Sequence, residues 1–162
     1  MDFPCGSGYG AKLLSELAVS YEGQEFDLPT IEYAKSLYGK YDATFVFGDL
    51  TKPDLPENKY DVIGCIEGLE HIGREFQEPL IEAFQRALKP GGTLIISSPE
   101  APNNISGPSP DNEWHVWELT KDDFLKLLHS CFPAGEVELI TQKNVLHTGK
   151  LTNCFYAVCR KS

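Results

Sequence analysis

Gly6, Gly8 and Gly10 alternate directly after Asp2-x-Pro4-Cys5, and residues 11–17 behind them have the spacing of a helix. Such a stretch describes a strand that ends, a sharp turn with its backbone exposed, and a helix whose first N–H groups face a ligand. A chain organised this way is confined to α/β folds in which strand, turn and helix frame a cofactor. Only Met1, Asp2 and Phe3 precede the turn, while a central parallel strand needs about five or six residues. The first strand is therefore expected to be largely missing.

The rest of the chain alternates strands and helices. A short amphipathic helix is predicted over 11–18, with Leu13, Leu14 and Leu17 as its apolar positions, then an unusually polar strand over 21–26 and a helix over 29–37. Apolar runs at 44–47, 60–66 and 93–96 read as further strands, and residues 76–88 place Leu80, Ile81, Phe84 and Leu88 on one helical face. Residues 99–117 have no periodicity, carry Pro99, Pro102, Pro108 and Pro110, and are expected to form a lid or binding loop. Thr120 is placed to cap a helix, with Asp123 at the capping-box position. Residues 136–140 and 153–159 complete the strands, the latter with Phe155, Ala157 and Cys159 on one face. The pattern predicts an α/β three-layer sandwich: one domain over 1–162, with a mostly parallel, seven-stranded-type sheet and an antiparallel edge strand.

Composition narrows the partners. The net charge of −10, with no Lys/Arg cluster to offset it, disfavours nucleic acid. No apolar run approaches the roughly 20 residues of a membrane helix, and no leader pattern opens the chain, so a cytoplasmic setting without membrane contact is expected. The five cysteines are odd in number and never form C-x-x-C, which reads as reduced, mostly buried thiols.

Taken alone, Gly6-Ser7-Gly8-Tyr9-Gly10-Ala11 also satisfies the dinucleotide fingerprint, with Glu25 near the required offset for ribose hydroxyls. The turn does not choose between a nicotinamide cofactor and S-adenosylmethionine. Five stretches in order resemble the motifs of class I S-adenosylmethionine-dependent methyltransferases. These are Asp2 to Gly10, Glu25-Phe26-Asp27, Gly48-Asp49-Leu50, Ile66-Glu67-Gly68-Leu69-Glu70-His71-Ile72, and Leu88-Lys89-Pro90-Gly91-Gly92-Thr93-Leu94. The resemblance covers about residues 1–120. It implies that Pro4, Cys5, Gly6, Ser7, Gly8, Tyr9 and Gly10 pack against the methionine part of the cofactor, with Asp2 near its amino group. It further implies that Glu25 takes the ribose hydroxyls, that Asp49 accepts from the adenine amino group between Phe26 and Leu50, and that Ile66 and Glu67 flank the cofactor. Asp27 is expected to be a solvated helix-start residue.

Glu67, Glu70 and His71 stand at i, i+3 and i+4, and His115 and Glu118 lie on the 99–117 loop and just after it. His71 or His115 suits a general base for a hydroxyl, with Glu70 orienting it. Glu67, Glu70, His71 and His115 could equally bind a divalent ion such as Mg²⁺. The pairing resembles O-methyltransferases of quinone-biosynthesis type, and also the magnesium-dependent 2′-O-methyltransferases of small RNA. The expected activity is O-methylation of a small hydroxylated acceptor, with an inactive methyltransferase-fold domain or an RNA 2′-O-methyltransferase as alternatives. Trp114 and Trp117 could wall an aromatic acceptor pocket; His129 and His147 read as surface or helix-end residues. The shortened first strand makes the chain look like a fragment, with exposed sheet edges that invite a homodimer.

Overall fold

The computed structural model describes residues 1–145 and 151–162; His147 lies outside them. The helix after the glycine turn, α1 (Tyr9–Leu14), begins two residues earlier than predicted because Gly8, at φ 80°, forms its left-handed cap. It ends at Leu14, whose carbonyl accepts the folded-back N–H groups of Leu17 and Ala18. Its inward contact is Ala11, while Leu13 and Leu17 are 66% and 84% exposed. The apolar stripe that predicted the helix therefore does not seat it.

β1 (Tyr21–Glu25), α2 (Leu28–Tyr38) and β2 (Ala43–Phe47) follow, with β1 and β2 parallel and Tyr21 opposite Ala43. Asp27 caps α2 by accepting from Thr30 N at 2.9 Å, so the expected helix-start role is what the structure has. The polarity of β1 has a tertiary cause. Glu22 accepts from the Tyr60 hydroxyl at 2.6 Å, Lys59 Nζ at 2.6 Å and Gln24 Nε2 at 3.0 Å, tying β1 to the next strand across the central position. On the opposite face Cys5, Ala11, Tyr21, Ile31, Ala34 and Phe45 make a small core under α1 and α2.

β3 (Tyr60–Cys65), the 3-10 turn Leu69–His71, α3 (Arg74–Ala87), β4 (Leu88–Pro99), α4 (Lys121–His129), β5 (Val137–Val145) and β6 (Leu151–Arg160) complete the chain. β3 and β4 are parallel; β6 runs antiparallel to β4 and to β5, which lies outside it. Residues 1–3 join the two halves of the sheet. Asp2 forms parallel bridges to both Gly23 and Gly64, Phe3 N donates to Gly64 O at 2.9 Å, and Gln24 N donates to Asp2 O at 2.9 Å. These residues take the central position, and the sheet is continuous: β2-β1-(1–3)-β3-β4-β6-β5.

The main core lies between this sheet and the pair α3 and α4. Leu80, Ile81, Phe84, Phe124 and Leu128 are fully buried against Ile63, Leu94, Ile96, Phe155, Ala157 and Cys159, and each large apolar side chain so buried contributes about 1.5–3 kcal/mol. Phe3 joins this core edge-on to Phe84, with ring centroids 6.2 Å apart. α3 and α4 thus cover one face of the β3–β4–β6–β5 half, and α1 and α2 cover the other face of the β1–β2 half. The layers are staggered, which leaves Val62, Ile95 and Ile140 exposed on the helix-free face of the larger half.

Residues 100–119 are pinned rather than free. Glu100 bridges Leu119, Gly107 bridges Glu118, and Ser106 Oγ accepts from Thr120 N while donating to Asp123. Thr120 caps α4 as expected, but the Asp123 side chain holds Ser106 instead of closing a capping box.

A candidate cofactor and acceptor site at the carboxyl edge of the sheet

The glycine turn is built as its residues require. A Cβ on Gly8, already at positive φ, would lie 2.7 Å from both Ala34 Cβ and a Phe45 ring carbon, so the turn is packed directly onto the small core. Gly6, at φ 51°, has nothing within 4 Å of its Cβ position and leaves its surface open. Gly6 N donates to Glu25 Oε2 at 3.0 Å, while Glu25 Oε1 accepts from Phe26 N at 2.8 Å and Asp27 N at 3.2 Å. Asp2 accepts from the Tyr21 hydroxyl at 2.5 Å, and its burial raises its carboxyl above the usual range.

A cavity of about 1180 Å³ opens over this turn. Asp2, Pro4, Cys5, Gly6, Tyr9, Gly10, Glu25, Phe26, Asp49, Leu50, Ile66, Glu67 and His71 all line it. Of the residues expected at the cofactor, Ser7 and Gly8 belong to the turn but not to the cavity wall. Phe26 leans on Phe47, with ring centroids 5.6 Å apart. Asp49 Oδ1 holds Thr51 through its N–H at 2.8 Å and hydroxyl at 2.7 Å, leaving Oδ2 for a ligand. The same cavity continues past Leu13, Leu17 and Val19 onto the uncovered sheet face at Val62 and Ile95.

Beyond the end of β3 the chain brings together three of the four residues expected around a metal ion. Ligand atoms of Glu70, His71 and His115 all lie within 4.8 Å of one another. The two imidazoles meet edge to face with centroids 5.2 Å apart. His71 Nδ1 lies 2.8 Å from the carbonyl of Trp114, and His115 Nδ1 lies 2.6 Å from Glu118 Oε1. A carbonyl and a carboxylate only accept, so each ring carries a proton on Nδ1, and in the neutral imidazole Nε2 then carries the free lone pair. Glu70 is fully buried, and neither carboxyl oxygen makes a well-formed hydrogen bond among the described residues, although its own backbone N–H and the Ser98 hydroxyl lie near enough to offset part of the effect of burial. Burial pushes its carboxyl up to about 8, with Glu67 and Glu118 adding repulsion.

Glu67 stands apart from that cluster. Its backbone is left-handed at φ 51°, its N–H donates to Ser97 Oγ, and its Oε1 accepts from the Ser97 hydroxyl at 2.6 Å and the Cys154 thiol at 3.0 Å. A non-glycine residue held there is strained backbone of the kind found at ligand-binding turns. Neither Ser97 nor Cys154 lies within any of the five motifs, and only the register of β3, β4 and β6 brings them to Glu67. The tryptophans do not wall the main cavity. Trp114 is exposed, and Trp117 packs on the main core with the Arg74 guanidinium 6.0 Å from its ring. His129 lies in the last turn of α4. All five cysteines are free thiols, four of them buried.

Residues 1–96 match the family described as "Methyltransferase domain". A probable S-adenosylmethionine-dependent methyltransferase of Mycolicibacterium smegmatis is 29% identical over 127 residues, covering 78% of this chain and 48% of that protein. A ubiquinone biosynthesis O-methyltransferase of Haemophilus ducreyi is 28% identical over 107 residues, 60% of this chain and 44% of that one. The chain thus spans about half the length of these curated relatives. A S-adenosylmethionine-dependent methyltransferase structure from Methanosarcina mazei superposes with a TM-score of 0.77 at 17% identity, over 97% of this chain and 89% of that one. At that identity the superposition speaks for the fold, which is the Rossmann-like one the sheet order had already indicated. No described helix is long and apolar enough to cross a membrane. With its glycine turn, acidic strand tips and a family match over more than half its length, the chain belongs to the methyltransferase domain family, as a class I, S-adenosylmethionine-dependent type.

Proposed function

We propose that the chain binds S-adenosylmethionine across the glycine turn and transfers its methyl group to the oxygen of a small hydroxylated acceptor beside His71 and His115. The observation that carries this reading is the pair of imidazoles, each engaged through Nδ1 and gathered with the buried Glu70 carboxyl, at the carboxyl edge where the cavity over the glycine turn ends. The choice of oxygen rests on the two imidazoles, which suit a hydroxyl proton, and the charge of −10 supports a small acceptor over a polyanion.

In this reading Glu25 accepts from the two ribose hydroxyls, Asp49 Oδ2 accepts from the adenine amino group, and Phe26 and Leu50 bracket the ring. Asp2 and the turn from Pro4 to Gly10 hold the methionine end, with Ile66 and Glu67 on its flank. The sulfonium needs little from the protein except an in-line approach and a nucleophile relieved of its proton. Nε2 of His71 or His115 takes the hydroxyl proton, and the oxygen then attacks the methyl carbon as the carbon–sulfur bond breaks, leaving the neutral thioether S-adenosylhomocysteine.

The donor set also fits a divalent cation. Glu70, His71 and His115 would hold it, one carboxylate and two neutral imidazoles being suited to a borderline or hard ion. When bound, such an ion lowers the pKa of a coordinated hydroxyl. Around it His71 and His115 keep their orientation through Trp114 and Glu118, and Glu70 gains the partner that its burial otherwise denies it.

Calorimetry with S-adenosylmethionine and S-adenosylhomocysteine tests the cofactor half: binding near micromolar is expected, and no binding by the folded chain would remove it. Titration with Zn²⁺, Mn²⁺ and Mg²⁺ tests the cation half, where binding unaltered in His71→Ala and His115→Ala would remove the metal.

A further inference from the structure

Glu118 is 5% exposed, and its carboxylate faces the His115 ring from the end of the 100–119 loop. Its backbone is locked independently of that side chain. Glu118 N donates to Gly107 O at 2.8 Å, Gly107 N donates to Glu118 O at 3.0 Å, and the next residue, Leu119, bridges Glu100. The Cα of Glu118 is thus fixed by strand-like pairing before its side chain does anything. Burying an ionised carboxylate is expensive unless it meets a donor of matching geometry. Here the described donor is His115 Nδ1, at 2.6 Å.

We propose that Glu118 is a positioning residue for His115: it holds the Nδ1–H tautomer, aims Nε2 at Glu70 and His71, and strengthens that nitrogen as a ligand. The inference rests on the reading of this cluster as a cation site. A carboxylate on the far nitrogen of a ligating imidazole fixes the ring and raises its donor strength, and losing such a partner typically weakens metal binding 10–100-fold. His71 has a weaker version of the same support, the Trp114 carbonyl. The two imidazoles are therefore unequal, with His115 the stronger donor.

The experiment uses the full chain with Co²⁺ and Zn²⁺ as probes. Calorimetry reads affinity, and the visible absorption of bound Co²⁺ reads the ligand field. Glu118→Ala is expected to weaken both ions about 10–100-fold and to shift the Co²⁺ band. Glu118→Gln keeps the shape and an amide oxygen that accepts from Nδ1, so it should lose clearly less. In a His115→Ala background, Glu118→Ala should cost no further affinity. A lowered melting temperature with wild-type affinity and an unshifted Co²⁺ band in both variants would mark Glu118 as merely structural and overturn the proposal. If His115→Ala weakens binding while the Glu118 variants do not, the cation site stands and the positioning role falls. If the wild-type chain binds neither ion, both fall.

Discussion

The carboxylate of Glu25 accepts from Gly6 N at 3.0 Å through one oxygen and from Phe26 N at 2.8 Å through the other, which makes the tip of β1 and the glycine turn one rigid piece. Oε2 keeps a further lone pair for a hydroxyl on the cavity side, whereas Oε1 is already shared by Phe26 N and Asp27 N. A hydrogen bond to a charged group contributes about 1.5–3 kcal/mol, so Glu25→Ala should weaken S-adenosylmethionine about 10–100-fold by calorimetry. Glu25→Gln, which still accepts through one oxygen, should lose less. Wild-type affinity in Glu25→Ala would mean that the ribose is held elsewhere.

Gly6 and Gly8 both have positive φ but face different surroundings, and their alanine variants should separate stability from binding. Gly8→Ala meets the left-handed penalty of about 1–2 kcal/mol and also drives a methyl into Ala34 and Phe45, each 2.7 Å away. It should melt well below wild type. Gly6→Ala meets the backbone penalty alone, since its Cβ position is open. It should fold and melt slightly lower, yet lose cofactor affinity out of proportion if the cofactor lies over Gly6 as proposed, because the added methyl enters that open space. Equal melting temperatures for the two variants would contradict this account.

Much of the frame was legible in the sequence because it depends on local signals. The turn at Gly6 to Gly10, the Asp27 and Thr120 caps, and the alternation that buries Phe155, Ala157 and Cys159 are all near-neighbour effects. Glu70, His71 and His115 were readable as a set from their chemistry. That Glu67 turns instead to Ser97 and Cys154 was not, because three strands must be in register before those side chains meet. The strand at β1 was legible but the reason for its polarity was not: Glu22 meets Lys59 and Tyr60 only when another strand arrives.

The leucines behind the glycine turn give a further test of what sequence periodicity conceals. Leu17 is 84% exposed and Leu128 fully buried, although both occupy apolar positions of amphipathic patterns. Leu17→Ala should change stability by no more than about 0.5 kcal/mol, as surface substitutions do. Leu128→Ala should cost about 2–5 kcal/mol through the cavity it leaves between α4 and the sheet. Denaturant unfolding of both variants decides the matter; a large loss from Leu17→Ala would show that its stripe is covered in solution.

Glu70 makes the fold itself sensitive to pH. Its carboxyl, ordinarily near 4.5, is pushed up to about 8 chiefly by burial. Between those values the unfolded chain has released a proton that the folded chain still holds, so stability must fall as pH rises, by at most about 1.4 kcal/mol per unit. Below the window both states are protonated, and above it both are ionised and the loss is constant. Glu70→Gln stays neutral throughout. In chelator, melting temperatures of wild type and Glu70→Gln should nearly coincide at the acid end of the window and diverge towards pH 8, with the variant higher. Zn²⁺ added at pH 8 should raise the wild type and leave the variant little changed, because a cation gives the ionised carboxylate its missing partner. A gap between the two proteins that stays flat across the window would show that Glu70 is solvated in solution.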